Sequence, residues 1–385
     1  MEVLYVTKTS ILSDGGGGEK RARKVTEGLA NRGNDVTLLC GKTDRELEKW
    51  SEIGGCDVRH VSCISSFLFR FPKLSFYATR YLFAIASLPV ITWLLVRDDF
   101  DVVVDNMTPY PSLSVISAKL TGTSIVAVQH EFYDRSCYQT YDPATATIQL
   151  AVQNILRVVT YDRVIAPTTH VARQLAAYGV EDSRLVVIPN GVEAEEYQMS
   201  NIDKDRMMLI TVGRLSKRKG QATILKAFQT IHEQKPETHL HLLGDGPART
   251  ELHNLASDLE ITGAVTFHGH VNERQKIEML NRAGLFVFAS RQEGFGLVLL
   301  EAMSAGIGIV TTKLPAYEDF FEDGSNGRLL RSREASIFAE NVVELLNNRE
   351  YLSEIEMTNR QKAKEFSWTT TVSNTESTLE QCADC

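Results

Sequence analysis

Short apolar runs alternate with helix-forming segments along the whole chain, and this alternation limits the folds that the chain can adopt. Each run is too short for an ordinary helix but suits a strand buried on both faces. We predict such strands at residues 3–7, 35–40, 102–104, 124–128, 164–166, 207–212, 239–243, 265–268, 285–289 and 307–311. Strands that alternate with helices predict parallel, doubly wound sheets of the α/β class, which bind ligands at the carboxyl ends of their strands.

The length of the chain and one polar stretch predict two domains. A chain of 385 residues is too long for one ordinary domain and suits two. A polar stretch separates the two series of strands and reads as a linker. We therefore predict an N-terminal Rossmann-like domain over 1–192, the linker over 193–206, a C-terminal Rossmann-like domain over 207–367 and a last helix over 368–385.

Charge and cysteine content argue against several classes of protein. The formal net charge is −8, whereas a nucleic-acid-binding protein usually carries a basic surplus. Cys382 and Cys385 have ligand-like spacing, but no second Cys/His pair in the sequence completes a metal site. Residues 1–7 read as a strand with an acid at position 2 rather than as a signal peptide. We interpret the cysteines as reduced thiols of a cytoplasmic protein: Cys40, Cys56, Cys63, Cys137, Cys382 and Cys385.

In the second half, a glycine-rich turn joins a predicted strand to a predicted helix. The turn reads Glu293-Gly-Phe-Gly296, and its two glycines allow the backbone to approach a ligand closely. Residues 297–305 then read as a helix that ends at Gly306. A helix that begins after such a turn points free N–H groups outward, which suits a phosphate. Glu293 and Glu301 flank this anion site and would suit the hydroxyls of a sugar nucleotide.

The spacing of these two acids resembles a motif of the retaining glycosyltransferases of family 4, the glycogen synthase and sucrose synthase type with the GT-B fold. Further segments match that family in order and in spacing: Pro189-Asn-Gly-Val192, Gly213-Arg-Leu-Ser-Lys-Arg-Lys-Gly220, Leu243-Gly-Asp-Gly-Pro247 and Gly269-His-Val271. The resemblance implies two domains that face each other across a cleft, with the acceptor side in the first and the donor side in the second. It also implies that the last helix crosses back to the first domain.

The resemblance gives roles to two cations after the strand at 207–212. Arg214 and Lys219 would stabilise the diphosphate leaving group, and fixed cations of this kind can replace a metal ion. The alternative interpretation is that Arg214 and Lys219 are an ordinary pair of surface charges. The neighbouring Lys217 and Arg218 are expected to face solvent.

Two acids and one histidine also take roles from the resemblance. Glu293 would contact the donor sugar and Glu301 the ribose hydroxyls; the alternatives are charge complementarity at a helix start and an exposed carboxylate. His130 follows the strand at 124–128 and resembles the family histidine near the donor sugar and the leaving phosphate. A lone histidine is more often structural, and that alternative stays open.

The resemblance further implies a donor site without cofactor or metal, in which the nucleotide diphosphate sugar is the substrate. Its expected binding residues, besides Glu301, are Gly16, Gly17, Asn190, Gly213, Gly244, Val271, Gly294, Phe295, Gly296 and Leu297. Two departures leave the identity of the donor sugar open. The family usually has Pro where Gly308 stands, and Gly-Gly near Leu314-Pro315-Ala316.

The leading hypothesis is transfer of a hexose to a hydroxyl of a glycan, lipid or small-molecule acceptor, with retention of configuration. A sugar-nucleotide epimerase or a related GT-B enzyme such as a phosphorylase is the alternative within the fold. A nicotinamide oxidoreductase is disfavoured, because Lys20 stands where the glycine fingerprint needs its last Gly. A sugar-binding protein without catalytic activity is the alternative that is not an enzyme. The loop at 15–18 resembles that of mannosyltransferases that act on lipid-linked oligosaccharides.

Basic and aromatic residues alternate between Asp57 and Asp98, a stretch without any acidic residue. Cations and partly buried rings together suit the headgroup layer of a membrane, so residues 58–97 are a candidate for peripheral docking at its inner face. The apolar part at 81–96 is short for a span and contains Pro89. The alternative to membrane docking is that this stretch is a helix packed on the sheet. The residues concerned are Arg59, Arg70, Lys73, Arg80 and Arg97, with Phe67, Phe69, Phe71, Phe76, Tyr77, Tyr81, Phe83 and Trp93.

Overall fold

A computed structural model gives the fold of the protein and describes residues 1–8, 16–41, 50–61, 72–107, 112–135, 137–140, 143–154, 159–199 and 202–384. The chain divides into two compact units. The first comprises Met1–Asn190 and Trp368–Cys385, and the second comprises Gly191–Ser367. The boundary therefore falls within two residues of the predicted start of the linker.

The first unit is built on one sheet. Its strands are β1 (Glu2–Thr7), β2 (Asp35–Gly41), β3 (Trp50–Ile53), β4 (Cys56–Val61), β5 (Val102–Met107), β6 (Ser124–Gln129), β7 (Arg163–Ala166) and β8 (Leu185–Val187). Their order in the sheet is β3-β4-β2-β1-β5-β6-β7-β8. Neighbouring strands run parallel, except that β3 pairs with β4 as an antiparallel hairpin. The carboxyl ends of β1, β5, β6, β7 and β8 therefore meet at one edge.

Helices connect these strands and cover the sheet. They are α1 (Gly17–Asn31), α2 (Pro72–Arg97), α3 (Ser114–Thr121), α4 (Cys137–Thr140), α5 (Pro143–Gln153) and α6 (Thr169–Tyr178). The strands are apolar on both faces, as β1 shows with five of its six residues buried. Continuous burial of this kind is typical of parallel sheets with helices on both sides. α1 buries a stripe at helical spacing that includes Ala22, Val25 and Leu29.

The second unit repeats this architecture. Its strands are β9 (Asp205–Val212), β10 (His239–Leu243), β11 (Val265–Gly269), β12 (Ala283–Phe288), β13 (Gly308–Thr312) and β14 (Gly327–Leu330), in the order β11-β10-β9-β12-β13-β14, all parallel. The helices are α7 (Gln221–Gln234), α8 (Arg249–Asp258), α9 (Glu273–Arg282), α10 (Leu297–Ser304), α11 (Ala335–Asn347) and α12 (Arg349–Ala363). β9 and β12 lie in the centre, so the segments that follow them leave the sheet side by side.

The last helix, α13 (Trp368–Ala383), belongs to the first unit. It packs against α1, where the Val372 side chain occupies the space beside Gly28. Glu376 pairs with Arg32 at 2.5 Å and accepts a hydrogen bond from Asn34 at 2.6 Å. The first unit is therefore assembled from both ends of the chain.

Helix α2 has a buried side and an exposed side. Phe83, Ile91 and Leu94 are at most 2% exposed, whereas Trp93 and Val96 reach 50% and 75%. In the part of the chain that the structure covers, no helix combines the length and the apolar character needed to cross a bilayer. Gly15, Cys63, Cys385 and the docking candidates Phe67, Phe69, Arg70 and Phe71 lie outside the described residues, as do the side chains of Lys73, Phe76, Tyr77, Arg80 and Tyr81.

Four cysteines lie in the described part of the chain: Cys40, Cys56, Cys137 and Cys382. All four are buried and form no disulfide. Burial raises the pKa of the Cys56 thiol to about 11. These residues therefore behave as packing groups of the core.

Candidate active site

The loops that follow β9 and β12 bring four predicted site residues to the carboxyl edge of the second sheet. After β9 come Gly213, the exposed Arg214 and a short 3-10 turn over Lys217–Lys219. After β12 comes the turn that carries Glu293. Lys219 Nζ lies 2.6 Å from Glu293 Oε1, so the two predicted catalytic groups form an ion pair.

This ion pair is enclosed and supported. The Lys219 and Glu293 side chains are 14% and 9% exposed. The Ser290 hydroxyl donates to the same Glu293 oxygen at 2.7 Å, and Lys219 Nζ also lies 5.2 Å from the centre of the Phe288 ring. Burial alone would raise the pKa of Glu293, but Lys219 and then Arg218 outweigh it and hold that pKa below its ordinary value. Glu293 is therefore a carboxylate at neutral pH.

Arg218 was predicted to face solvent, but it contacts the turn that carries Glu293 instead. Its Nη1 donates to the Gln292 carbonyl at 3.3 Å, and its own carbonyl accepts from Arg291 N–H at 2.8 Å. These contacts hold the 3-10 turn against the turn that carries Glu293. Lys217, in contrast, is exposed, in agreement with the prediction.

The glycine-rich turn ends in close contact with a tyrosine. Gly296 has φ +92°, and a Cβ there would lie 2.5 Å from Tyr317 Cε1. Phe295 is 4% exposed and stacks on Phe320 at 5.0 Å, so only its backbone is left to contact a ligand. Leu297 begins α10, whose first N–H groups have no partner within the helix. Gly294 lies between Glu293 and this turn.

Glu301 lies one turn into α10 and is 4% exposed. Its Oε2 is 2.9 Å from Lys276 Nζ on α9. Lys276 also reaches Glu273 at 2.9 Å, and Glu273 accepts a hydrogen bond from the Tyr197 hydroxyl at 2.6 Å. A buried carboxylate needs such partners, so Lys276 holds Glu301 in place.

The other predicted donor-side residues follow the remaining strands. Gly244 comes directly after β10, where its backbone packs against the Gly213 carbonyl without space for a Cβ. Val271 is half-buried and precedes Asn272, which caps α9 through a capping box with Gln275. These residues therefore share one edge of the second sheet.

The two departures from the family pattern have local explanations. Gly308 opens β13, where a Cβ would clash with Leu352 on α12. Pro315 begins a 3-10 turn that places the Tyr317 ring against Gly296. Gly308 is thus explained by packing at the start of β13, and Pro315 by packing beside the glycine-rich turn.

In the first unit, the predicted residues lie at the carboxyl edge of the first sheet. Gly16 and Gly17 are exposed at the start of α1. His130 follows β6, and its Nε2 lies 2.6 Å from Asn106 Oδ1. Asn190 is 5% exposed, and its Oδ1 accepts from Arg21 Nη1 at 2.9 Å.

The electrostatic surroundings keep His130 neutral. Burial lowers the pKa of His130 to about 3, and the positive charges of Arg21 and Lys8 lower it in the same direction. His130 therefore serves as a hydrogen-bonding group at neutral pH, not as a cation.

Sequence reasoning missed the residues that hold the predicted ones. Arg21, Asn106, Ser290, Lys276 and Tyr197 each contact a predicted residue or its partner. No motif marks them, because each comes from a different element and meets its partner only in the folded sheet. The apolar neighbours of Glu301 were the one available signal, since they favour a buried acid with a hydrogen-bonding role.

Two parallel α/β units with this order of strands define the class of GT-B glycosyltransferase folds, which confirms the predicted fold. Sucrose-phosphate synthase from Thermosynechococcus elongatus matches with a TM-score of 0.82 at 19% identity over 99% of this chain and 98% of that chain. HepE from Anabaena, solved with UDP and glucose, matches with a TM-score of 0.77 at 18% identity over 99% of this chain and 100% of that chain. At these identities the likeness is one of fold.

Family models match both units. Residues 15–196 match the model described as Glycosyltransferase Family 4. Residues 192–363 match the model described as Glycosyl transferases group 1. Between them the two models span residues 15–363, so the chain is a glycosyltransferase built from a family 4 domain and a group 1 domain, in agreement with its motifs.

Curated relatives match over part of their length. A lipopolysaccharide core biosynthesis glycosyltransferase from Rhizobium meliloti is 32% identical over 142 residues, which is 37% of this chain and 40% of that protein. A phosphatidyl-myo-inositol mannosyltransferase from Mycolicibacterium smegmatis is 28% identical over 265 residues, which is 66% of this chain and 64% of that protein. The matched segments therefore span less than two thirds of these relatives.

Proposed function

We propose that the protein transfers a hexose from a nucleoside diphosphate sugar to a hydroxyl acceptor with retention of configuration. The observation that carries this proposal is the pairing of Lys219 with Glu293 at the carboxyl edge of the second sheet. Ligands of doubly wound sheets bind at that edge. A cation for the diphosphate and an acid for the sugar are thus adjacent where a donor would lie.

The proposed reaction needs no covalent intermediate on the protein. The bond between sugar C1 and the β-phosphate oxygen breaks, and the acceptor oxygen bonds to C1 on the same face of the ring. The acceptor proton passes to the leaving phosphate, so the products are a glycoside and a nucleoside diphosphate. Arg214, Lys219 and the backbone N–H groups at the start of α10 would stabilise the charge on the leaving group.

We assign separate roles to the two acids. Glu293, paired with the phosphate-side cation Lys219, would accept hydrogen bonds from donor-sugar hydroxyls. Glu301, held by Lys276, would accept them from the ribose. His130 would contact a donor-sugar hydroxyl as a neutral ring, in keeping with its lowered pKa.

Fixed side-chain cations also lead us to propose a metal-independent transfer. Lys219 is held by Glu293 and Arg214 lies in the same loop, so side-chain cations are present at this edge before the donor arrives. Activity should therefore persist in excess EDTA. Loss of activity that magnesium or manganese restores would overturn this part of the proposal.

We further propose a glycan or lipid-linked acceptor at the cytoplasmic face of a membrane. The names of two relatives point this way: one is a lipopolysaccharide core glycosyltransferase and one a phosphatidyl-myo-inositol mannosyltransferase. A membrane-bound acceptor requires that the protein reach the bilayer surface.

Helices α2 and α3 offer a surface of the required kind, which we call the apolar helix surface. Six of its residues are large, hydrophobic and exposed: Leu82, Ile85, Trp93 and Val96 on α2, with Ile116 and Leu120 on α3. Thr92 and Ser117 join the two helices through a 2.8 Å hydrogen bond. The buried residues Phe83, Ile91 and Leu94 of α2 belong to the core, so the six exposed residues are left to face solvent.

The charges of α2 and α3 support an anionic bilayer as the proposed occupant of this surface, although Arg97 also pairs with Asp98 and Lys119 with Asp162. The sequences of α2 and α3 contain Lys73, Arg80, Arg97 and Lys119 and no acidic residue, in a protein whose net charge is −8. Arg97 lies over the Trp93 ring, 4.8 Å from its centre. An aromatic ring beside a cation suits the headgroup layer, where the ring buries partway and the cation meets lipid phosphate.

The proposed transfer is tested with a panel of UDP- and GDP-hexoses. Slow release of nucleoside diphosphate without acceptor should occur with one donor in preference to the rest. NMR of the freshly released sugar should show the anomeric configuration of the donor. Release of the opposite anomer would overturn retention. Conversion of one sugar nucleotide into its epimer would favour the epimerase alternative, and no turnover of any donor would contradict the transferase proposal.

A further inference from the structure

A group of buried polar side chains surrounds His130 and Asn190 at the carboxyl edge of the first sheet. The Tyr5 hydroxyl lies 3.4 Å from Asn106 Oδ1, and Asn106 Nδ2 donates to Thr7 Oγ1 at 3.3 Å. Tyr5, Thr7 and Asn106 are at most 3% exposed. Groups buried to this extent lose water and need hydrogen-bond partners, so each member restricts the orientation of the others.

This arrangement favours one tautomer of His130. Asn106 uses its NH₂ group on Thr7, so its Oδ1 faces His130 Nε2 at 2.6 Å. An amide oxygen can only accept, so the proton must be on Nε2. The neutral ring then carries its lone pair on Nδ1, and Nδ1 is the atom that can accept a hydrogen bond from a sugar hydroxyl.

Arg21 fixes the orientation of Asn190 in the same way. The Arg21 side chain comes from α1 and is 1% exposed. Its Nη1 donates to the Ile188 carbonyl at 2.8 Å and to Asn190 Oδ1 at 2.9 Å. Because the amide oxygen of Asn190 is engaged, its NH₂ group is the end that can donate to a ligand. Among the described residues, Arg21 Nη2 has no hydrogen-bond partner.

We propose that Asn106 and Arg21 are positioning residues for the transfer reaction. Asn106 holds His130 as the Nε2–H tautomer with Nδ1 as acceptor, and Arg21 holds Asn190 with its NH₂ group as donor. His130 thereby presents a lone pair and Asn190 an N–H group at the same edge of the sheet. The assignment of these groups to the donor rests on the proposed function, but the tautomer and the amide orientation do not.

The charges around His130 support the neutral ring. Arg21 on α1 and Lys8 after β1 are the cations that act on it. Tyr5 on β1 is a neutral phenol, because burial raises its pKa above the ordinary value. Asp105 on β5 accepts hydrogen bonds from Ser114 and Tyr161. Glu131, which follows β6, accepts a hydrogen bond from Tyr133. Loss of the Arg21 charge should therefore raise the pKa of His130.

NMR of the ¹⁵N-histidine-labelled full chain tests the tautomer without reference to activity. Long-range proton–nitrogen correlations should show His130 protonated on Nε2 alone, with no titration between pH 5 and 8. His130→Gln identifies the signal. Asn106→Leu removes the acceptor and should give a mixture of tautomers, whereas Asn106→Asp keeps an acceptor and should keep Nε2–H. A wild-type ring protonated on Nδ1, or one that titrates near pH 6.5, would overturn the proposal.

Kinetics test the role of Arg21. Arg21→Gln should lower kcat about tenfold, the value of one well-placed hydrogen bond, with KM for the donor changed by less than about threefold. Any acidic limb of the pH profile that belongs to His130 should also move to higher pH, because burial remains but the contribution of the Arg21 charge is lost. Arg21→Lys keeps the charge and should leave that limb in place.

Arg23→Gln, on the same helix, is the matched control, and thermal melting confirms that each variant is folded. If Arg21→Gln has the kcat and pH profile of Arg23→Gln, Arg21 has no positioning role. A wild-type protein that turns over no donor would defeat the proposed function, while the NMR result would still decide the tautomer.

Discussion

At the residue scale, the site consists of charged groups that are already paired. Lys219 pairs with Glu293, and Lys276 pairs with Glu301. The sequence predicted three of these four residues through motif spacing. It did not predict the pairing, because residues 219 and 293 approach each other only when β9 and β12 lie side by side. Lys276 could not be found at all, since it stands on a helix without a motif.

We expect Lys219→Ala and Arg214→Ala to lower the transfer rate by about a hundred- to a thousandfold each. Each removes a cation that would otherwise stabilise the leaving diphosphate. Steady-state kinetics with the preferred donor provide the measurement. Lys217→Ala is the matched control, because Lys217 lies in the same 3-10 turn and is exposed. Rates equal to that control would remove Lys219 and Arg214 from the mechanism.

Substitution of the two acids should separate catalysis from nucleotide binding. Glu293→Gln should impair transfer more than the binding of free nucleoside diphosphate, because the sugar is absent from that ligand. Glu301→Gln should weaken nucleotide binding by about tenfold, since one charged hydrogen bond to the ribose is lost. Calorimetry beside transfer rates measures both, with Glu278→Gln as an exposed control on α9. Equal losses of nucleotide affinity in the two variants would contradict the division of roles.

At the element scale, the sequence predicted most of the central strands and the helix after the glycine-rich turn. It missed β3, β4, β8 and β14, which lie at or next to the edges of the sheets. Three of them have only three or four residues, and β4 alternates between buried and more exposed positions. Buried central strands have a continuous apolar signal, whereas edge strands take their pairing from neighbours that are distant in sequence. The glycine-rich turn was predictable because glycine is the residue that its backbone requires.

Gly296→Ala should therefore destabilise the second unit and disturb the site. The positive φ alone costs about 1–2 kcal/mol for a residue with a Cβ, and the added carbon would press on the Tyr317 ring. Thermal or denaturant unfolding measures the loss. Gly263→Ala is the control, because φ there is not positive and no atom lies within 4 Å of the added carbon. A Gly296→Ala protein as stable as the Gly263→Ala protein would show that the turn tolerates a side chain.

At the scale of the whole molecule, exposed apolar residues are unevenly distributed. The described residues include ten large hydrophobics that are exposed, and six of them belong to α2 and α3. The sequence indicated this region through its lack of acids, but it could not separate the exposed side of α2 from the side packed on the sheet. That separation depends on which residues meet α3 and β4, and these contacts exist only in the folded unit.

Co-sedimentation with liposomes tests the apolar helix surface. The protein should bind vesicles that contain anionic lipid, and added salt should weaken the binding. Trp93→Ser with Val96→Ser should reduce binding at least about tenfold, since two side chains that bury partway are lost. Met357→Ser is the control, because Met357 is 65% exposed on α12 in the other unit. No binding to anionic vesicles at low salt would contradict membrane docking and favour a soluble acceptor.

The return of α13 to the first unit has a consequence for synthesis on the ribosome. The first sheet emerges early, yet Leu379 and Cys382 complete its core and Cys382 accepts a hydrogen bond from Ser124 across 258 residues. Until residue 383 leaves the exit tunnel, the side of α1 that carries Gly28 lacks the contacts that α13 supplies. The second unit can fold during that wait, so the domain translated first should be the last to reach its native state.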